Sequence, residues 1–150
     1  ASDYFKKRRY PVFLGTFLIT FILLAVIYLT SLPYYLVSSL LLLLGFLAGS
    51  MIPLFAIGRE ISPPGGAALG VAGINFIITI GAALFQPAIG FIMDFFWDGS
   101  MLNGVPEYSI HTYQLALAVL PIMSLISFIL TFLIPETRCK LIARRIDETD

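Results

Sequence analysis

Four stretches of this chain carry no charged side chain: Pro11–Leu32, Tyr34–Gly58, Ala67–Met93 and Thr112–Ile134. Each is longer than the roughly 20 residues that a helix needs to cross about 30 Å of hydrocarbon. With 59% hydrophobic and 12% charged residues over 150 positions, the chain has less charge than a soluble domain. A domain of this length also has too little interior to hide so much apolar surface. The runs lack period-two alternation, which argues against a lipid-facing barrel, whereas helices satisfy their own backbone hydrogen bonds in lipid. The expected fold is all-α and integral to a membrane. It has four transmembrane helices at about 11–32, 34–58, 67–95 and 112–134 and a tail at 135–150.

The basic residues set the expected orientation. Lys6, Lys7, Arg8 and Arg9 precede the first run, Arg59 lies between the second and third, and Arg138, Lys140, Arg144 and Arg145 follow the fourth. With four crossings, all nine Lys and Arg fall on one side, a positive-inside pattern that makes both ends and the Gly58–Gly66 loop cytoplasmic. The Thr30–Pro33 turn and the Phe95–His111 loop are then outside. The first apolar run is too long for a signal peptide, and the chain starts on Ala1 with a basic cluster close behind, so it is expected to begin inside a longer protein. The lone Cys139 makes no internal disulfide, and no glycosylation sequon occurs.

The runs differ in texture. The first is apolar all round, relieved only by Gly15, Thr16, Thr20 and Thr30, and reads as a helix facing lipid over much of its surface. The second carries Gly45, Gly49 and Pro53 at spacings of four, which suits either a close helix seam or a gating bend. The third, drawn at 100° per residue, gathers Gly66, Gly70, Gly73, Ile77 and Gly81 on one arc and Asn75, Thr79, Ala82, Gln86 and Gly90 on the opposite one. One face is made for close approach; the other is a polar stripe. Amides in hydrocarbon need partners or a wet cavity, so Asn75 and Gln86 read either as interhelical glue or as cavity-lining groups. Pro87 loosens the backbone beside Gln86. In the fourth run, Ser124, Ser127 and Thr131 form a small polar stripe.

The remaining polar residues have bland and sharp readings. Asp94 is an acid at the outer interface or a proton relay, with no partner evident in sequence. His111 is solvated or a pH sensor. Arg59 is a topology anchor or part of a cytoplasmic gate. Cys139 is a free thiol or a palmitoylation site. Asp98-Gly99 and Asn103-Gly104 signal turns in the outer loop, where Trp97 and its aromatic neighbours suit a membrane-interface belt. No Ser/His/Asp set, paired carboxylates, metal-ligand cluster or Gly-Lys-Ser/Thr phosphate loop occurs, so enzyme chemistry, metal and cofactor are not expected. The basic clusters flank the spans, which accounts for them without nucleic acid.

Several segments resemble the major facilitator superfamily, specifically its last four helices. SDYFKKRRYP is similar to the loop between helices 8 and 9, the counterpart of that family's motif A. Asp3 matches the motif's acid and Lys7 and Arg8 its basic pair, while Lys6 stands where a glycine is usual. GREISPPGGAALGVAGINF resembles the helix 10–11 junction. GAALFQPAIGFIMD resembles the helix 11 counterpart of motif C through Pro87 and Gly90. Gln86 and Phe91 depart from that motif's glycines, so its antiporter role is not carried over. PETR is like the end of helix 12. The resemblance spans the whole chain.

The resemblance implies part of a twelve-helix transporter that moves a small solute by alternating access, driven by a proton or solute gradient, in a bacterial inner membrane. Its partners would be the solute, protons, the lipid bilayer and the remaining helices of the same transporter. Asn75, Thr79 and Gln86 would face the substrate cavity, and Asp3, Lys7, Arg8, Arg59 and Glu60 the cytoplasmic gate. Gly45, Gly49, Pro53, Gly66, Gly70, Gly73, Gly81, Pro87 and Gly90 would serve packing or hinge motion. The rival reading is a free-standing four-helix membrane scaffold or assembly protein without transport activity.

Overall fold

A computed structural model describes residues 9–63 and 65–134. Asp3, Lys7, Arg8, Pro64, Cys139 and the tail at 135–150 lie outside them. Among the described residues, four helical spans are long and apolar enough to cross a membrane: Arg9–Tyr28, Tyr34–Ile61, Ala67–Phe95 and Ile110–Leu133, here spans one to four.

Prolines shape the ends and the internal breaks. Span one stops at Tyr28, earlier than the uncharged run suggested, and Leu29–Leu32 make the turn that leads to Pro33 at the start of span two. The residue before a proline is pushed out of the α region, so the helix cannot continue through Leu32. Span two runs past Gly58 to Ile61 and takes Arg59 and Glu60 into its last turn. The expected Gly58–Gly66 loop is thereby corrected to a tighter connection. Ser62, before Pro63, turns extended (ψ 147°), Gly65 has φ +83°, and the Gly66 N–H bonds the Pro63 carbonyl at 2.8 Å.

Two spans are interrupted where a proline lacks an N–H for the carbonyl four residues back. In span two the carbonyl robbed by Pro53 belongs to Gly49, and Gly49–Met51 tighten into a 3₁₀ turn between Tyr34–Ala48 and Ile52–Ile61. In span four Pro121 deprives Leu117, and the helix breaks at Ala118 between Ile110–Leu117 and Val119–Leu130, closing with a 3₁₀ turn at Thr131–Leu133. Pro87 has no such effect: span three is α-helical throughout Ala67–Phe95.

Span one lies antiparallel against span four: Thr20 meets Ser124 near the middle, Phe13 meets Phe128, and Arg9 meets Phe132 at the end. It also packs on span two, where Gly15 leaves room for the Ser50 side chain. Much of span one stays exposed, Leu14, Phe21 and Tyr28 included, as expected of a helix that faces lipid over much of its surface. Gly15, Thr16 and Thr20, read as relief in an apolar run, are where its neighbours touch it. Span three packs on the second half of span two and the first half of span four.

The core is thin. Val12, Ile22, Ile57 and Ala116 are its buried hydrophobic members, and dozens of large apolar side chains remain exposed, Leu42, Phe46, Leu69 and Phe91 among them. Such continuous apolar surface suits lipid or further helices, not water.

Candidate functional site

Span three holds the expected polar stripe, and no residue of that helix is buried. Asn75, Thr79 and Gln86 are all exposed. The Thr79 hydroxyl donates to the Asn75 carbonyl at 2.8 Å, as a threonine in an apolar helix commonly does. The eleven residues from Asn75 to Gln86 correspond to about 16 Å of rise with a net rotation of about 20°, so the two amides share a face at two depths. Neither amide hydrogen-bonds any described residue, and both side chains are exposed in the four-span unit. Within this four-span unit the stripe is a surface, not an enclosed site.

On the opposite, glycine-bearing face, the glycines closest to a neighbour are those near the connection to span two. There Gly58 and Gly70 cross: a Cβ on Gly70 would stand 2.5 Å from the Gly58 carbonyl oxygen, and one on Gly58 would strike Ile74. Gly66 folds against Pro63. Further along, Gly73 and Gly81 have open space beside them, as do Gly90 on the polar face and Gly45 and Gly49 on span two. Spacing alone could not separate the glycines in contact from those left open, because both sets share the same periodicity.

Of the expected gate residues, Arg59 and Glu60 are described. Arg59 is exposed and Glu60 is buried, with 5% of its surface accessible, so the adjacent pair does not share one environment. Arg9 and Arg59 lie at the same end of the bundle, and Asp94, Asp98 and Glu107 at the other.

At that other end the chain builds an ordered cap. Asn103 (φ 52°) and Gly104 (φ 78°) form a tight turn with two positive φ values between β1 (Met101–Leu102) and β2 (Val105–Pro106). A right-twisted hairpin prefers that geometry, and Asn-Gly supplies it at least cost. This two-residue pairing is a small departure from an all-α chain. The Asp98 carboxylate accepts from the Ser100 N–H (3.0 Å) and hydroxyl (2.7 Å). Those bonds, the side-chain one foremost, hold its pKa below the ordinary carboxylate value. The Trp97 indole N–H donates to the Ser100 carbonyl at 3.0 Å, and Ser109 caps span four by accepting from the Thr112 N–H.

Asp94 does have a partner in this chain. The Tyr108 hydroxyl donates to its carboxylate at 2.6 Å. That bond, with the nearby negative charge, raises the Tyr108 pKa above the ordinary phenol value, since the phenolate would lose its donor and face a carboxylate. Sequence reading missed this contact because fourteen residues and a hairpin separate the two groups. It also missed Gln114, whose amide donates to the Ile27 carbonyl of span one at 3.2 Å. An amide inside an apolar run was the available signal.

The hydroxyls that join spans one and four form a small ladder. Thr20 donates to Ser124 and lies equally near the Thr16 carbonyl, each at 2.8 Å, and Ser124 reaches the Thr16 carbonyl at 3.3 Å. No group of three His, Cys, Asp or Glu side chains comes together among the described residues. No protein-family model, curated protein or solved structure matches the chain.

Proposed function

We propose that this chain is the C-terminal portion of a major facilitator-type secondary transporter, embedded in a bacterial inner membrane with its basic end cytoplasmic. It contributes four helices to a solute pathway that works by alternating access, driven by a proton or solute gradient. The observation that carries this reading is span three. Two amides on one face, about 16 Å apart along the helix, find no hydrogen-bond partner among the described residues of the chain. In hydrocarbon such groups are costly, so this face must meet water or further protein. A central pathway bounded by the other helices of a transporter supplies both. The open glycines of spans two and three support the same reading, because they leave room for backbone contact with additional helices.

The test is thiol accessibility in native membranes. In a Cys139→Ser background, Asn75→Cys and Gln86→Cys are treated with a membrane-impermeant thiol reagent, with Leu84→Cys, an exposed position on the opposite, glycine-bearing face, as the control. Modification at 75 and 86 with little at 84 is expected. If Gln86→Cys is as inert as Leu84→Cys, the face is dry and the four helices serve a scaffold rather than a solute path.

A further inference from the structure

At the basic end, spans one and four leave a cavity of about 320 Å³ lined by Arg9, Tyr10, Phe13 and Phe132. Its floor is aromatic. Phe13 meets Phe132 edge-on at 5.4 Å between ring centroids, and Phe128 packs behind both at 4.8 and 5.7 Å. The Arg9 guanidinium lies over the Phe132 ring, 5.3 Å from its centroid. Tyr10 and Phe132 keep 63% and 54% of their surface exposed, so the cavity opens outward along the sides of the two helices. Its size is at the lower end of the range for small-ligand pockets.

We propose that this cavity is a binding site for one anionic phospholipid, with the headgroup phosphate on Arg9 and the upper acyl chain along Phe13 and Phe132. Three observations converge. Arg9 is the last charged residue before the uncharged run of span one, and Phe132 lies in the last turn of its antiparallel neighbour, so the cavity sits where headgroups meet hydrocarbon. Its chemistry changes from cationic to apolar over one helical turn, from Arg9 to Phe13, as a phospholipid changes from phosphate to chain. The guanidinium carbon stands 5.3 Å from the Phe132 ring centroid, beside the apolar lining, and a guanidinium's planar donors match phosphate oxygens in pairs. Lys6, Lys7 and Arg8 continue the same basic run in sequence and add attraction for an anionic surface. The inference rests on membrane insertion but not on transport.

Tryptophan quenching by brominated lipid tests it. In a Trp97→Phe, Phe132→Trp chain reconstituted into mixed bilayers, brominated phosphatidylglycerol and brominated phosphatidylcholine are compared as quenchers. Preference for the anionic lipid by about fivefold is expected, the worth of one near-surface cation, falling to about onefold in Arg9→Gln. The joint Lys6→Gln, Lys7→Gln change removes more charge and is expected to cost less selectivity; a larger loss there means diffuse surface potential and overturns the site. Equal quenching by both lipids in the parent chain also overturns it. Displacement by millimolar glycerol phosphate would assign the cavity to a soluble phosphate instead. Absence of quenching by either lipid means the chain is not inserted, which separates failure of the membrane reading from failure of the site. Native mass spectrometry of the unsubstituted chain reads the same site without tryptophan. One retained phosphatidylglycerol, lost in Arg9→Gln, is expected; equal retention by both overturns the proposal.

Discussion

Two glycines less than one helical turn apart on span three are expected to respond in opposite directions to the same substitution. A Cβ on Gly70 would stand 2.5 Å from the Gly58 carbonyl oxygen and 3.1 Å from its carbon, and it would also run into the Ser62 hydroxyl. The hydroxyl can rotate away; the backbone cannot. Ordinary carbon–oxygen contact begins near 3.4 Å, so Gly70→Ala forces the two helices apart by most of an ångström. Overpacking of this kind costs about 1–3 kcal/mol. Nothing lies within 4 Å of a Cβ at Gly73, where alanine keeps only its advantage in helix propensity, about 0.5–1 kcal/mol. The propensity gain is common to both sites and cancels in the difference. Gly70→Ala should therefore be less stable than Gly73→Ala by about 1–3 kcal/mol. The assay is reversible unfolding of the reconstituted chain in mixed micelles, followed by circular dichroism. A difference within about 0.3 kcal/mol, below the usual error of additivity, would refute the close approach of spans two and three.

Other expectations follow from single contacts. A Thr20→Val, Ser124→Ala double-mutant cycle should return a coupling of about 0.6 kcal/mol, the average for interhelical hydrogen bonds in membranes; zero coupling would mean that the ladder does not join spans one and four. Asp94→Asn should lower the Tyr108 pKa toward the ordinary phenol value of about 10, read as the alkaline difference spectrum against Tyr108→Phe. Because the Tyr108 pKa is raised by folding, its contribution to stability is complete below the ordinary phenol value and is lost as pH rises through the raised one. For Asp98 the sign reverses: the carboxylate's contribution holds above the ordinary carboxylate value and is lost as pH falls through the depressed one. Asn103→Val places a β-branched residue at positive φ and should weaken the hairpin by about 1–2 kcal/mol, seen as faster amide exchange at Leu102 and Val105.

Much of the helical layout was legible in sequence because hydrophobic length is a one-dimensional property. Four uncharged runs of crossing length predict four spans, and four helices of that length and character are present. The ends were legible only to within a few residues. Uncharged runs do not mark helix ends: Pro33 stops span one's neighbourhood early, and Arg59 and Glu60 sit inside a helix because charged residues at a helix end break no backbone bond. The turns at Asp98-Gly99 and Asn103-Gly104 were readable, since turn chemistry is local.

Which surfaces meet was decided by tertiary structure alone. Periodicity assigns Gly45, Gly49, Gly70, Gly73 and Gly81 to seams, yet only the packing of span two on span three distinguishes Gly70, which touches backbone, from Gly73 and Gly81, which touch nothing. Thr16 and Thr20 looked incidental in an apolar run until span four brought Ser124 beside them. Asp94 looked unpartnered until the hairpin returned Tyr108 to it. The sequence by itself determined that the chain forms helices of membrane length, because hydrophobicity and backbone hydrogen bonding act along the chain. Only the tertiary structure decided which faces are spent within the four spans and which, like the Asn75–Gln86 stripe, stay open, because contact between helices depends on how they cross and not on the order of residues in any one of them.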